Sequence, residues 1–533
     1  MSLPLPRLPA DYMRIPDRLN LADATLDRQV RAGHGDRVAI YYGDERITYR
    51  ELQRRANQFG NALARLGIGR GDRFLIRARN CPEYAVAFLG GIKAGAVPIP
   101  SNSLFRPWEL EHSINNSGTK AVFTTPDLVE PIRDVRPRCP SLKHVVIIGG
   151  PGDTGPTFAE LVAGASEELA PAETHRDELA FIVYTSGTTG KPKGVEHAHR
   201  WIVGAGDPVT HIVMQIGPED ICFQPQEISF IYSLGCCLLY PLRVGAAVVL
   251  EPARFEPEAC LAAIQRYRVT LLAAVPTIFR MLIARPGAES RYDLSSLRFG
   301  ISAGEPLPED TYHEAKRRFG IEVYDFIGQS EIHGYMGNWS GLPVKPGSVG
   351  LPLPPHAVSI ADDAGAEVAP GEVGHIVLRQ DNPGLALGYR GMEDRWADLN
   401  RRDWFYTGDM AYRDPEGYFW YVSRSDDLIK SRAYLISPKE VEAAIMEHPA
   451  VLEAGVVGAP DPILGQKVKA FVTLRPGNEP SPVLAEEITE RLKGLIAPYK
   501  APKEIEFVAD LPKTATGKVL RRELRARAQT GTA

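Results

Sequence analysis

From residue 38 to residue 251 the chain alternates short β-rich runs with stretches of helical periodicity, and this alternation constrains the fold more than any other feature. Strands joined by helices run parallel, because a parallel pair needs a long crossover connection. VAIYYGDERITY at 38–49 is the exception, two β-rich runs around Gly43-Asp44-Glu45 that predict a hairpin. Leu52, Ala56, Phe59, Leu63 and Leu66 then share one helical face, and Gly67 stands where a helix C-cap is expected. FLIRA reads as a strand, PEYAVAFLGGIKAG as a helix and VPIP as a strand. Further strands are expected at KAVFTT, HVVIIG, AFIVYT and AAVVLE. The fold class that follows is α/β, with mostly parallel sheets packed with helices.

A chain of 533 residues exceeds what one hydrophobic core supports, so more than one domain is expected. Its character changes near residue 424. The stretch 341–420 is rich in glycine, proline and short strands such as GHIVLRQ and YFWYV. SRSDDLIKSRAYLISPKEVEAAI then reads as a connector and a helix, followed by strands at EAGVVGA and KVKAFVTL, a helix at 483–495 and a last strand, EIEFVA. This predicts a large domain over 1–424 and a small α+β domain over 425–533. The net charge of −5 offers no positive excess for holding nucleic acid by its phosphates. Six cysteines contain no CxxC pair and no zinc-ligand spacing, and they read as small buried side chains. The first twenty residues hold no apolar signal-peptide core, and no apolar run is long enough to span a bilayer, so the expectation is a cytoplasmic protein without membrane partners.

The most specific string is YTSGTTGKPKG at 184–194. It follows the apolar strand LAFIV, and its glycines let backbone N–H groups approach a ligand. Its hydroxyls and two lysines add donors and positive charge that suit a polyphosphate. A Walker A loop is excluded, since that pattern needs glycine where Thr185 stands and a hydroxyl residue where Pro192 stands. The string resembles, without a gap, the phosphate-loop signature of the adenylate-forming superfamily of acyl-CoA synthetases, adenylation domains and firefly-type luciferases. Other strings resemble that superfamily in the same order: Thr48-Tyr49 with Glu51-Leu52, Ala94–Pro100, Ser302–Pro308, Asp325–Glu331, Tyr406-Thr407-Gly408-Asp409, Arg424–Asp427 and PKTATGK at 512–518. Within it the chain is most similar to benzoate-type acid–CoA ligases.

The resemblance implies attack of a carboxylate on the α-phosphorus of ATP, then transfer of the acyl group from acyl-AMP to coenzyme A. Because both first reactants are anions, such a site must supply fixed positive charge. By the same resemblance, Lys518 bridges the acyl carboxylate and the phosphate. Glu331 and Thr188 carry magnesium. Thr185, Ser186, Gly187, Thr188, Thr189, Gly190, Lys191 and Lys193 hold ATP phosphates, with Ser330 beside them. Gly304, Glu305 and Asp325 meet the adenine, Asp409 the ribose hydroxyls and Arg424 the ribose or phosphate. Asp426 is the hinge about which the small domain rotates. Phe230, Tyr232, Ser233, Val275, Gly328 and His333 line the acid pocket, and Ser431, Arg432 and Ala433 the acceptor channel.

Five positions depart from the family pattern. Asp325 replaces an asparagine, and Ile327 an adenine-stacking tyrosine. Ile231 and Ser233 replace a smaller alanine and glycine, which argues against benzoate itself. Ala433 replaces a glycine on the pantetheine path. The expected substrate is a small aromatic or cyclic acid, with ATP, Mg2+ and coenzyme A as co-substrates. The competing reading is a different acceptor: an amine, a separate carrier protein's thiol, or activation of nitrite. A non-catalytic nucleotide-binding protein would not need Lys518, Glu331 and the loop together. The oligomeric state is open between monomer and dimer.

Overall fold

The computed structural model describes residues 5–151, 155–185, 192–252, 254–425, 427–431, 434–461, 465–496, 500–513 and 519–530. Its contacts divide the chain into two compact units, residues 1–358 with 378–405, and residues 359–377 with 406–533.

The first unit contains the parallel sheets that the alternation predicts. Val97–Pro100, Arg73–Arg77, Ala121–Thr124 and His144–Ile147 form a four-stranded, all-parallel sheet. A nine-stranded sheet runs in the order Leu351–Pro352, His333–Gly337, Val323–Gln329, Phe299–Ser302, Leu271–Ala274, Ile221–Phe223, Ala247–Val249, Val38–Tyr42 and Glu45–Thr48. Its interior pairs are parallel, and only the hairpins at its two ends are antiparallel. The phosphate-loop region departs from this pattern. Leu179–Thr185 pairs antiparallel with Lys193–Ala198, which pairs antiparallel with Gly388–Tyr389.

Local chemistry explains the helix Tyr49–Ala62. The Thr48 side chain caps its N-terminus by accepting from Glu51 N at 3.2 Å, and Glu51 adds negative charge to the first turn. Its apolar face buries Leu52, Ala56 and Phe59. Phe59 meets Phe74, Phe123 and Phe158 at ring separations of 5.8, 5.1 and 5.3 Å. Burying such a side chain stabilises by about 2–3 kcal/mol. The helix tightens over Leu63–Leu66 and stops at Gly67, whose φ of +65° costs an L side chain strain. It packs on the buried helix Pro82–Lys93 so closely that a Cβ at Gly90 would lie 2.3 Å from Ala56 O.

In the second unit, the strand Trp404–Arg413, which enters it from the first, pairs antiparallel with Phe419–Arg424. This pairing carries the compact unit back to Tyr406, ahead of residue 425. A separate sheet orders Tyr434–Ile436, Ile429–Ser431, Gly465–Leu474 and Val451–Asp461, with Glu504–Phe507 parallel to Gly465–Leu474. The helices Pro438–Met446 and Pro482–Leu495 cover it, burying Val441, Ile445, Ile488 and Leu492 against Val456, Val468 and Val472. All six cysteines are buried and unbridged. Among the described residues no helix is long and apolar enough to cross a membrane.

Candidate active site

Thr185 ends one strand of the phosphate-loop hairpin, and Lys193 opens the other directly opposite it. Ser186, Gly187, Thr188, Thr189, Gly190 and Lys191 lie outside the described residues, as do Asp426, Arg432, Ala433 and Lys518. Lys193 Nζ stands 3.8 Å from Glu331 Oε1, with both side chains largely buried. It donates to Tyr389 OH at 3.2 Å and lies 4.5 Å over that ring. Tyr389 OH in turn donates a short hydrogen bond to Glu331 Oε1. Two expected site residues, 138 positions apart in the sequence, are thus joined through a tyrosine that no motif marked. Tyr389 is placed by its pairing opposite Val195 and by the edge of Trp396 at 5.2 Å. A buried carboxylate and a lysine beside a phosphate-type loop can divide a bound polyphosphate and its cation between them.

Ser330 and Glu331 occupy the turn between Val323–Gln329 and His333–Gly337. Gly328, just before it, has no room for a side chain, since a Cβ there would lie 1.7 Å from His333 O. Asp325 pairs across the sheet with Ser302, and its carboxylate accepts from Leu307 N at 3.2 Å. The buried Asp325 therefore holds the 303–307 turn, in which Gly304 takes a φ of +90°. Gly304 is exposed and Glu305 half-buried. Among the described residues no group of three or more His, Cys, Asp or Glu is placed to hold a metal.

The expected acid-pocket residues fall into one neighbourhood of aromatic side chains. Phe230 precedes the short helix Ile231–Leu234, which carries Tyr232 and the buried Ser233. Tyr232 OH donates to Ile301 O at 3.2 Å, its ring meets Phe326 edge-on at 5.6 Å, and it packs against the core that contains Val275. The segment before Phe230 is tied down by two residues the motifs did not mark, Arg79, which pairs with Glu227 at 3.2 Å, and Asn80, which exchanges hydrogen bonds with Gln226 and Ile228. His333 is buried with a φ of +68°, its Nδ1 2.9 Å from Tyr240 OH. Burial pushes the Tyr240 phenol well above its usual range, so the hydroxyl keeps its proton beside the neutral imidazole. Trp201 stands edge-on to the same ring at 5.7 Å.

Burial lowers His333 and His197 to about 3, and His199 and His356 to about 4. Each is neutral when folded and binds a proton once unfolded. Between about pH 6.5 and pH 4 the unfolded state therefore holds more protons, and stability falls as pH falls, by about 1.4 kcal/mol per unit for each histidine. The urea midpoint is expected to drop steeply across that window, with the upper part of it, above about pH 5, lying above ordinary carboxylates. His333→Asn, a residue that tolerates left-handed backbone, should flatten the slope. An unchanged slope would mean that His333 is not held neutral by the fold.

In the second unit, Asp409 and Arg424 stand opposite each other on paired strands, with Arg424 Nη1 3.3 Å from Asp409 Oδ1 and 3.0 Å from Thr407 O. Gly408, at φ +77°, leaves the space the guanidinium fills, for a Cβ there would lie 2.7 Å from Arg424 Nη2. Ser431 is buried at the end of Ile429–Ser431.

The AMP-binding enzyme family model matches residues 26–390, and that of the AMP-binding enzyme C-terminal domain matches residues 440–518. The chain is 36% identical to a benzoate–CoA ligase of Thauera aromatica over 517 residues, 96% of this chain and 97% of that one. The crystal structure of the anthranilate CoA ligase AuaEII with anthranoyl-AMP superposes with a TM-score of 0.90 at 33% identity, covering 97% of this chain and 98% of that one. A benzoate CoA ligase of Burkholderia xenovorans LB400 superposes with a TM-score of 0.85 at 32% identity, covering 95% and 99%. The fold, the matched strings and these likenesses agree from end to end, and the chain belongs to the AMP-binding enzyme family of the adenylate-forming superfamily, as an AMP-forming acid–thiol ligase.

Proposed function

We propose that this protein joins a small aromatic or cyclic carboxylic acid to coenzyme A by way of an acyl-AMP. The observation that carries this reading is the end-to-end likeness to proteins named benzoate and anthranilate CoA ligases. In the first half-reaction a carboxylate oxygen attacks the α-phosphorus of ATP and pyrophosphate leaves. In the second, the thiol of coenzyme A attacks the acyl carbonyl and AMP leaves. Lys193, with the Thr185–Lys191 loop, meets the phosphates. Magnesium needs only one or two protein carboxylates beside phosphate and water, and the buried Glu331 fits that need, with Thr188 beside it. Such a cation offsets phosphate charge when bound. Asp325, Gly304 and Glu305 orient the adenine, Asp409 and Arg424 the ribose, and Lys518 supports charge on the reacting oxygens. Residues 425–533 rotate about Asp426 between the two half-reactions, and Ser431, Arg432 and Ala433 line the path of the thiol. Phe230, Tyr232, Ser233, Val275, Gly328 and His333 shape the acid site, where mostly apolar walls suit a ring.

The test is acid-dependent ATP–pyrophosphate exchange with a panel of carboxylic acids, followed by product mass with and without coenzyme A. Aromatic or cyclic acids should exchange fastest, with a thioester formed only when coenzyme A is present. Fastest exchange with acetate or a long-chain acid would overturn the substrate class. Adenylate that persists in the presence of coenzyme A would move the reading to an amine or a carrier-protein thiol.

A further inference from the structure

Lys518 is bracketed by described residues that are anchored on both sides. Lys513 and Val519 face each other in an antiparallel bridge, Leu520 N donates to Pro512 O at 2.7 Å, and Lys513 Nζ reaches Glu453 Oε2 at 2.6 Å. The helix Arg521–Thr530 starts immediately after. It lies so close to the strand Val451–Asp461 that a Cβ at Gly455 would stand 2.6 Å from Leu524 Cδ1 and 3.2 Å from Val519 Cγ1.

The first residue of that helix, Arg521, is largely buried. Its Nη2 donates to both oxygens of Glu442, at 2.7 and 2.5 Å, and its Nη1 lies 3.6 Å from Asp427. Arg525, one turn on, donates to Asp427 at 2.7 Å. Glu442 is buried as well and accepts from Val456 N at 2.8 Å. A buried ion pair is a poor source of stability, because desolvating both ions offsets most of their attraction and apolar side chains of the same volume do as well or better. What a guanidinium–carboxylate contact supplies, and apolar packing does not, is direction. Here that direction joins two particular places in the chain: the residue three after Lys518 and the residue directly after 426.

We propose that Arg521 is a positioning residue for the adenylation half-reaction, fixing the start of the helix Arg521–Thr530, three residues after Lys518, to Glu442 and Asp427. This rests on the roles proposed above for Lys518 and Asp426. Arg521 meets no substrate. It acts by setting where Lys518 comes to rest, and displacements of about an ångström in such a group cost up to about a hundredfold in rate.

The test uses the full-length chain, the acid that exchanges fastest in the panel and its chemically prepared adenylate. Arg521→Lys, which keeps the charge and loses the planar group that spans Glu442 and Asp427, and Glu442→Gln should each lower kcat for pyrophosphate exchange about tenfold or more, with KM for ATP nearly unchanged. Single-turnover transfer from the prepared adenylate to coenzyme A should change less than about threefold. Glu442→Gln leaves a buried guanidinium without its carboxylate and lowers the thermal midpoint, so both half-reactions are read well below that midpoint. Asp427→Asn leaves the Glu442 contact in place and should show a smaller loss of the same kind, which carries the test if Arg521→Lys does not fold. Unchanged exchange in all three variants, beside a large loss in Lys518→Ala, overturns the proposal. So does an equal fall in both half-reactions that tracks a lowered midpoint. If Lys518→Ala itself exchanges normally, the role given to Lys518 has failed instead, and the positioning role falls with it.

Discussion

Lys518→Ala is expected to lower acid-dependent pyrophosphate exchange by about 10²–10³, the scale for removing one donor aimed at developing charge. The expectation rests on PKTATGK at 512–518 and on membership of the AMP-binding family, whose C-terminal domain match ends at residue 518. The acid and ATP repel each other as anions, and in the roles proposed above Lys193 serves the phosphates while Lys518 offsets the charge that builds on the reacting oxygens. Attack of a thiol on a finished adenylate brings no second phosphate anion to the carbonyl, so that step should change only a few-fold. Single-turnover measurements of each half-reaction separate the two. Equal losses in both would remove Lys518 from the adenylation step.

Gly328→Ala should be more damaging than one methyl group implies. The obstacle is the His333 carbonyl, backbone rather than a side chain that can swing away: a Cβ would lie 1.7 Å from its oxygen and 2.3 Å from its carbon. Making room means parting Val323–Gln329 from His333–Gly337, the two strands that carry Asp325 and His333 and frame the turn with Glu331. Overpacking in a well-filled core costs about 1–3 kcal/mol when side chains yield; with backbone on both sides we expect the upper end or beyond, together with loss of most pyrophosphate exchange as Glu331 leaves Lys193 and Tyr389. Calorimetry and exchange read the two effects. A variant with the parent's melting temperature and full exchange would show that the hairpin is looser than its contacts imply.

Much of this architecture was legible in the residues because it is local. The apolar spacing from Leu52 to Leu66 marks one helix face, and Val38–Tyr42 with Glu45–Thr48 form the hairpin expected around Gly43. The phosphate loop was legible for the same reason, as one contiguous string. Its setting was not: LAFIV pairs antiparallel with the strand after the loop, while alternation elsewhere pointed to parallel neighbours. Tyr389 escaped notice because it stands in ALGYRG, a turn-rich stretch with no periodicity, and acquires its place only when Gly388–Tyr389 joins the edge of the loop hairpin. Trp201 and Tyr240, which meet the His333 ring edge-on, were marked by no motif, and no spacing rule links positions that meet only across separate elements. The Arg521–Glu442–Asp427 contact was hidden in the same way, since RRELRAR alone reads as a solvated basic tail.

The burial of all six cysteines has a practical consequence for a protein that handles a thiol co-substrate. Cys81, Cys139, Cys222, Cys236, Cys237 and Cys260 are enclosed, and burial raises each thiol above its usual range, so almost no thiolate is exposed to disulfides or alkylating reagents. The native enzyme is in effect already a cysteine-light background. A single cysteine placed at the exposed Leu104 and another at the exposed Val483 would be the reactive thiols for a donor–acceptor dye pair, one in each compact unit. The rotation of residues 425–533 proposed above would then be read as an optical distance change that leaves the native cysteines untouched.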